Sequence, residues 1–99
     1  MFSVIYKFKL KADKIQQFED NWTELTKLIY KHQGSLGSRL HKSDNLNYIA
    51  YAQWPDKETW ESEWKNMPEH AKGISKKMKE ACEERKTIFE LEVVKDLLK

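Results

Sequence analysis

Cysteine, glycine and proline are scarce in this 99-residue chain, which contains one, three and two of them respectively. The single Cys82 excludes an internal disulfide and any metal site built from several cysteines. The three histidines, His32, His41 and His70, lie far apart and lack the short spacings of metal ligands. We therefore expect a protein of a reducing compartment, the cytoplasm, with no metal site.

Long apolar runs and blocks of like charge are also missing. The chain has 18 Lys and Arg against 16 Asp and Glu, interspersed as in KKMKEACEERK, so no strong field for nucleic acid or an anionic membrane arises. The opening MFSVIYKFKLK has neither a long apolar stretch nor the core of a signal peptide. We expect a soluble protein with neither a membrane nor a nucleic acid as partner.

The strong catalytic motifs are absent as well. The sequence contains no G-x-S-x-G, G-x-x-x-x-G-K-S/T, H-E-x-x-H or G-x-G-x-x-G pattern, which removes the familiar hydrolase, P-loop, zinc-protease and dinucleotide sites. The run Gly34-Ser35-Leu36-Gly37 suggests a phosphate-binding loop, but it follows a helical pattern and enters a strand pattern. Anion sites have the reverse order, so we interpret this run as a helix end and loop.

Two regular patterns open the chain. Apolar and polar side chains alternate over residues 2–10, which predicts a half-buried strand. Apolar residues then recur at helical spacing and predict a helix over residues 13–33. Asp13 and Gln16 form a candidate capping box at its start, and Gly34 ends it.

Three further strands are predicted. Residues 36–42 and 47–54 are short strand-like runs on either side of a Ser-Asp-Asn turn, which is typical of a β-hairpin. Residues 87–95 alternate again and predict the last strand. The apolar tail 94–98 follows it.

Between the hairpin and the last strand the spacing predicts helix. Asp56 is a candidate N-cap for a helix that carries Trp60 and Trp64 four residues apart. Pro68 suits the first position of another helix, which would carry Cys82 on its inward face as a small buried hydrophobe. The two pieces could also form one bent unit.

The resulting order, β-α-β-β-α-β, predicts one α+β domain over residues 1–99 with the ferredoxin-like plan. Its four-stranded antiparallel sheet has both helices on one face. The other face needs a cover, and a second copy of the chain, clasped by the apolar tail, is the simplest one. The residues expected there are Ile5 with either Ile49 and Tyr51 or Tyr48, Ala50 and Trp54.

Aromatic residues are plentiful by contrast, at 12%, and four of them are tryptophan. Buried Trp and Tyr usually need a partner for their N–H or O–H groups. A cluster of them therefore fits either a packed core or the wall of a partly polar pocket, and both interpretations stay open. The aromatic residues concerned are Tyr6, Trp22, Tyr51, Trp54, Trp60 and Trp64.

The segment YIAYAQWPDKETWESEWK resembles the antibiotic biosynthesis monooxygenase (ABM) domain family of the dimeric α+β barrel superfamily. In that family a strand ends in Trp, an acidic cap follows, and a helix opens with Glu and an aromatic residue. Trp54, Asp56, Glu58 and Trp60 are similar to these positions. The resemblance implies a homodimer with a small-molecule cavity between the sheet and the helices of each subunit.

The resemblance also implies an activity. Characterised enzymes of the family oxidise aromatic phenols to quinones with O₂ and need no metal or flavin cofactor, because the deprotonated substrate is itself the electron donor. For this chain the implied substrate is a small quinol-like or anthrone-like aromatic molecule. The alternative is a non-catalytic dimer of the same fold that binds a small hydrophobic molecule or acts in stress response or regulation. RNA binding is a third alternative, but NYIAYAQW lacks the basic-glycine-aromatic signature of RNA-recognition domains.

The implied site residues fall into two groups, with three departures from the family. The substrate-binding candidates are Tyr6, Trp22, Trp54, Trp60 and Trp64. The catalytic candidates are Tyr51, His70 and Arg39, with His41 as a further candidate for the group that takes or holds a proton. The departures are Glu63 where many members have His, Ala52 where Glu is common, and Tyr6 near the Asn position of a haem-degrading branch.

Overall fold

The computed structural model describes residues 1–62 and 64–98, so the departure at Glu63 lies outside the described residues. Its elements follow the predicted order, with the second helical region divided in two. They are β1 Phe2–Leu10, α1 Ile15–His32, β2 Gly37–Lys42, β3 Asn47–Trp54, α2 Lys57–Glu61, α3 Ala71–Glu80 and β4 Cys82–Glu92. No helix in this part of the chain is long and apolar enough to cross a membrane.

The four strands form one antiparallel sheet in the order β2-β3-β1-β4, which confirms the predicted fold class. The register pairs Phe8 with Tyr48 and Val4 with Ala52, and all four side chains are buried on the face that carries the helices. Because neighbouring residues of a strand point to opposite faces, Ile49 and Tyr51 lie on the other face. The first of the two alternatives for that outer face is therefore correct.

Helix α1 packs on the sheet through one apolar stripe. Phe18 is fully buried, and Leu25 is nearly so. The predicted capping box is wrong, because Lys14 is the N-cap and makes no side-chain capping bond. Gln16 Nε2 instead donates to Asp20 Oδ1 at 2.8 Å, one turn along the helix surface.

Helix α1 ends just before a glycine, as the sequence predicts. Gln33 is the C-cap, and Gly34 then takes a left-handed φ of +83°, which costs a residue with a Cβ atom about 1 kcal/mol or more. A Cβ at Gly34 would also meet Thr59 Cγ2 at 3.1 Å. The chain therefore turns out of α1 at the position that the sequence indicates.

The second helical region departs from its prediction after the first turn. Asp56 caps α2 as expected, because its Oδ1 accepts from the Thr59 N–H at 2.7 Å. The helix ends at Glu61, so Trp64 lies beyond it, with a left-handed φ of +64°. Pro68 precedes α3 rather than opening it. The four-residue spacing of Trp60 and Trp64 fits a helix, but α2 ends before Trp64.

Strand β4 begins five residues before its predicted start, so Cys82 opens the strand rather than lying on a helix. Its register against β1 shifts twice: once between Lys9, opposite Glu84, and Leu10, opposite Cys82, and once where Ile5 is opposite Phe89 but Tyr6 is opposite Thr87. The extra residue, Ile88, forms a β-bulge. A bulge shifts the alternation of a strand by one residue, so Phe89 points to the outer face and Thr87 to the helix face.

Candidate cavity between the sheet and the helices

A cavity of about 360 Å³ lies between the helix face of the sheet and the helices. This volume is within the range of small-molecule sites in proteins. All four strands contribute to its wall, together with α1 and α3. The lining residues are Tyr6, Phe8, Trp22, Leu25, Thr26, Ile29, Ser35, Ser38, Ala52, Trp54, Met78, Arg85, Lys86 and Thr87.

The Tyr6 hydroxyl is held in place by α2. Trp60 Nε1 donates to Tyr6 Oη at 2.7 Å, and the Trp60 ring packs against Phe2 with centroids 5.7 Å apart. Burial raises the pKa of the Tyr6 phenol above its ordinary value of 10.0, Trp60 opposes that rise, and the charge of Glu90 adds to it. The phenol therefore stays protonated at neutral pH, and its own O–H donates to no acceptor in the part of the chain described.

A second donor in this wall is the indole N–H of Trp54. The side chain is buried at the end of β3 against Phe2 and Val4. Its Nε1 is the one buried side-chain polar atom without a hydrogen-bond partner in residues 1–62 and 64–98. An unpaired buried donor costs about 1–3 kcal/mol, and an acceptor that reached this N–H would remove that cost.

The serine hydroxyls of the wall are already engaged. Ser38 Oγ donates to the Tyr51 carbonyl at 2.9 Å, and Ser35 Oγ accepts from the Gly37 N–H at 3.0 Å. None of the described lining residues is Asp, Glu or His. The cavity thus offers hydrogen-bond donors on an apolar, aromatic wall, and none of its described lining residues places a carboxylate or an imidazole opposite them.

The structure brings together only some of the residues predicted for the site. Tyr6, Trp22 and Trp54 line the cavity, and Trp60 stands behind Tyr6. Trp64 lines a separate open groove along α3, where it meets Leu25, Ser75 and Met78 together with lysine side chains. His70 is exposed and directly precedes α3.

The remaining predicted residues lie on the outer face of the sheet. Arg39 pairs with Tyr51 and His41 with Ile49 across β2 and β3. Together these four line a hollow on the side of the sheet opposite α1. Tyr51 Oη accepts from Gln53 Nε2 at 2.9 Å, so its hydroxyl serves a surface network rather than the cavity.

Sequence reasoning missed Arg85 and Thr87, which reach the cavity from β4. Both belong to a stretch of mixed charge that reads as the end of a helix and the start of a strand. They face the helices because the register of β4 shifts on either side of them, and no local sequence signal marks these shifts. No group of three residues able to hold a metal ion occurs in the ranges 1–62 and 64–98.

The raised pKa of Tyr6 predicts a stability change at alkaline pH. Above about pH 10 the unfolded chain loses the phenol proton that the folded chain retains, so the free energy of unfolding falls as the pH rises. The Tyr6→Phe variant cannot ionise there, and its stability should decline less steeply. Urea denaturation between about pH 9 and pH 11 measures both slopes. The exposed Tyr30→Phe is the control, and equal slopes for wild type and Tyr6→Phe would contradict the prediction.

Comparison with known proteins gives a consistent picture. A family model described as antibiotic biosynthesis monooxygenase matches residues 1–76. No curated protein sequence matches the chain. A crystal structure of an antibiotic biosynthesis monooxygenase is similar at 16% identity with a TM-score of 0.76, covering 96% of this chain and 100% of that one.

Two further solved structures share the fold. A conserved protein from Methanosarcina mazei is 17% identical with a TM-score of 0.74, covering 91% of this chain and 89% of its own. SnoaB from Streptomyces nogalater, a cofactor-independent oxygenase, is 11% identical with a TM-score of 0.73, covering 99% and 97%. At these identities the likeness concerns the fold.

Proposed function

Because this chain belongs to the antibiotic biosynthesis monooxygenase family, we propose that its cavity binds a small quinol-like or anthrone-like aromatic molecule. The protein then oxidises it with O₂, without a metal or flavin. The observation that carries the proposal is the unpaired N–H of Trp54 on the same aromatic wall as the Tyr6 hydroxyl. The similarity of the fold to SnoaB, a cofactor-independent oxygenase, supports it.

The wall suits the chemistry of such a substrate. Aromatic side chains such as Trp22 and Phe8 give a flat ring an apolar surface. When an anthrone-type molecule loses a proton, negative charge collects on its oxygen. Two hydrogen-bond donors held on an apolar wall stabilise that charge. Oxidation then places one oxygen atom of O₂ in the new carbonyl group and releases the other as water.

The roles of the two donors differ. Trp54 is held by its packing against Phe2 and Val4, and its unpaired N–H meets a ligand oxygen after a small shift of the side chains that cover it. Tyr6 already accepts the Trp60 N–H, which leaves its own O–H for the ligand. Trp60 is therefore a positioning residue, and Tyr6 and Trp54 are the groups that touch the substrate.

A test removes the Trp54 donor and keeps an aromatic ring. With 1,8-dihydroxyanthrone as substrate, Trp54→Phe should lower kcat/KM about tenfold or more, because a hydrogen bond to a charged group is worth about 1.5–3 kcal/mol. Oxygen uptake and quinone absorbance give the rate. The matched control is Trp64→Phe, which changes an indole outside the cavity and should keep the wild-type rate.

The outcomes separate the two functions. Equal rates for wild type and Trp54→Phe would contradict the role of the Trp54 N–H. Binding and ligand-dependent stabilisation without O₂ uptake would instead establish the non-catalytic alternative. One observation favours that alternative: no described lining residue is a carboxylate or an imidazole that could take a proton.

We further propose that the protein acts as a homodimer through the outer face of the sheet. Apolar side chains continue across its central strands there, with Ile5 flanked by Tyr51 and Phe89 in one row. Phe89 is 57% and Leu91 45% exposed, and contiguous exposed apolar surface of this kind is typical of an interface. A second copy would cover it by a two-fold operation.

A further inference from the structure

Arg85 is one of the two charged side chains among the described residues of the cavity wall. It lies on β4 opposite Phe8, on the helix face, and it is exposed to solvent at the edge of the wall. The other charged lining residue, Lys86, pairs with Lys7 in the sheet and forms an ion pair with Glu84 at 2.9 Å. Arg85 takes part in no ion pair among the described residues.

No acidic side chain among the described residues of the wall balances Arg85. The carboxylate that acts on Tyr6, Glu90, is outside the lining and lies 3.3 Å from Lys57 Nζ. A cavity with apolar walls concentrates the field of the charge at its edge. The edge of the wall at Arg85 therefore carries a positive charge with which an uncharged aromatic molecule would make no ion pair.

The geometry points to an aromatic carboxylate as the ligand, an inference that rests on the proposed function and narrows its substrate class. The planar guanidinium of Arg85 can meet both oxygens of one carboxylate. Arg85 is opposite Phe8, two residues along β1 from Tyr6, which is a rise of about 7 Å. A fused aromatic ring is comparable in length to this separation of backbone positions, so the ligand would carry its carboxylate at Arg85 and an oxygen near Tyr6 and Trp54.

A matched pair of probes tests this arrangement. 6-Hydroxy-2-naphthoate and its uncharged amide have nearly the same shape and differ in charge. Wild type should bind the acid about tenfold more tightly than the amide, since a charged hydrogen-bonded pair exceeds a neutral one by about that factor. Arg85→Gln should weaken the acid about tenfold and leave the amide within about twofold. Fluorescence titration of the probes gives the affinities.

Two further variants sharpen the result. Arg39→Gln removes the same side chain from the outer face and should change neither affinity. Arg85→Lys keeps the charge and loses the fork, so it should bind the acid with intermediate affinity. Thermal melts of all variants check that they are folded. Substitution of an exposed residue should leave the melting temperature nearly unchanged.

The failures are distinguishable. Equal binding of acid and amide by wild type, or an equal loss of both in Arg85→Gln, would overturn the role of Arg85 and leave the proposed function standing. Binding of neither probe by wild type would overturn both, because the proposed function also requires an aromatic ligand. A tenfold preference for the acid that persists in Arg85→Gln would assign the charge to another residue and likewise overturn the inference.

Discussion

Replacement of Phe18 by alanine lowers the free energy of unfolding by about 3–5 kcal/mol. Phe18 is completely buried, and its ring centroid lies 4.9 Å from that of Phe8 and 5.9 Å from that of Tyr48. The variant loses the transfer free energy of the ring and leaves a void between α1 and the sheet. Because small domains are stable by only about 5–15 kcal/mol, this loss is a large share of the total.

The matched control for Phe18→Ala is Tyr30→Ala on the same helix. Tyr30 is 59% exposed, so its truncation should change stability by no more than about 0.5 kcal/mol. Urea denaturation at neutral pH gives both values. If the two truncations cost the same, the packing of α1 on the sheet differs from that described.

Phe89→Lys separates the proposed homodimer. Its side chain projects from the outer face on the edge strand β4, beside Ile5, and is 57% exposed in the single chain. A lysine in a covered apolar face would be a buried and unpaired charge, which costs several kcal/mol. Light scattering at micromolar concentration should give twice the 11.9 kDa chain mass for wild type and the single mass for the variant.

The control for Phe89→Lys is Tyr30→Lys, which introduces the same charge at a position of similar exposure on α1. It should stay dimeric, because α1 lies on the opposite face of the sheet. If light scattering of the wild type at micromolar concentration gave the mass of one chain, the proposed homodimer would be contradicted. The cavity within one chain would then have to act alone.

Much of the fold follows from periodicity in the sequence. The alternation over residues 2–10 predicts the central strand with its correct bounds, and the apolar stripe of α1 identifies Phe18 and Leu25 as core residues. Asp56 is a correct N-cap because short acidic side chains satisfy the free N–H groups of a first turn. The family resemblance at Trp54 is confirmed by the match over residues 1–76.

The errors occur where tertiary pairing overrides local pattern. The spacing of Trp60 and Trp64 fits a helix, yet α2 ends after Glu61. The charged residues at the start of β4 do not alternate with apolar ones, so their sequence predicts helix. They form a strand because they pair with β1. A strand held by its neighbour does not need an apolar period of its own.

Some residues of the candidate site can be predicted from the sequence and others cannot. Tyr6, Trp22 and Trp54 follow from placing aromatic side chains on the helix face of known elements. Arg85 cannot be placed in the same way, because the face on which its side chain lies depends on the register of β4 against β1. Arg39 and Tyr51 are on the correct strands, but the face of the sheet to which they belong requires the register.

The bulge at Ile88 lets one edge strand present two chemistries. Below it β4 turns Arg85 and Thr87 inward, and above it the same strand turns Phe89 and Leu91 outward. With strict alternation all four side chains would lie on one face of the sheet. The strand could then contribute to the cavity or to the apolar outer face, but not to both. If β4 instead paired with β1 without this bulge, Phe89 and Leu91 would turn to the helix face, so the proposed ligand site and the proposed dimer face both depend on the same irregularity of one strand.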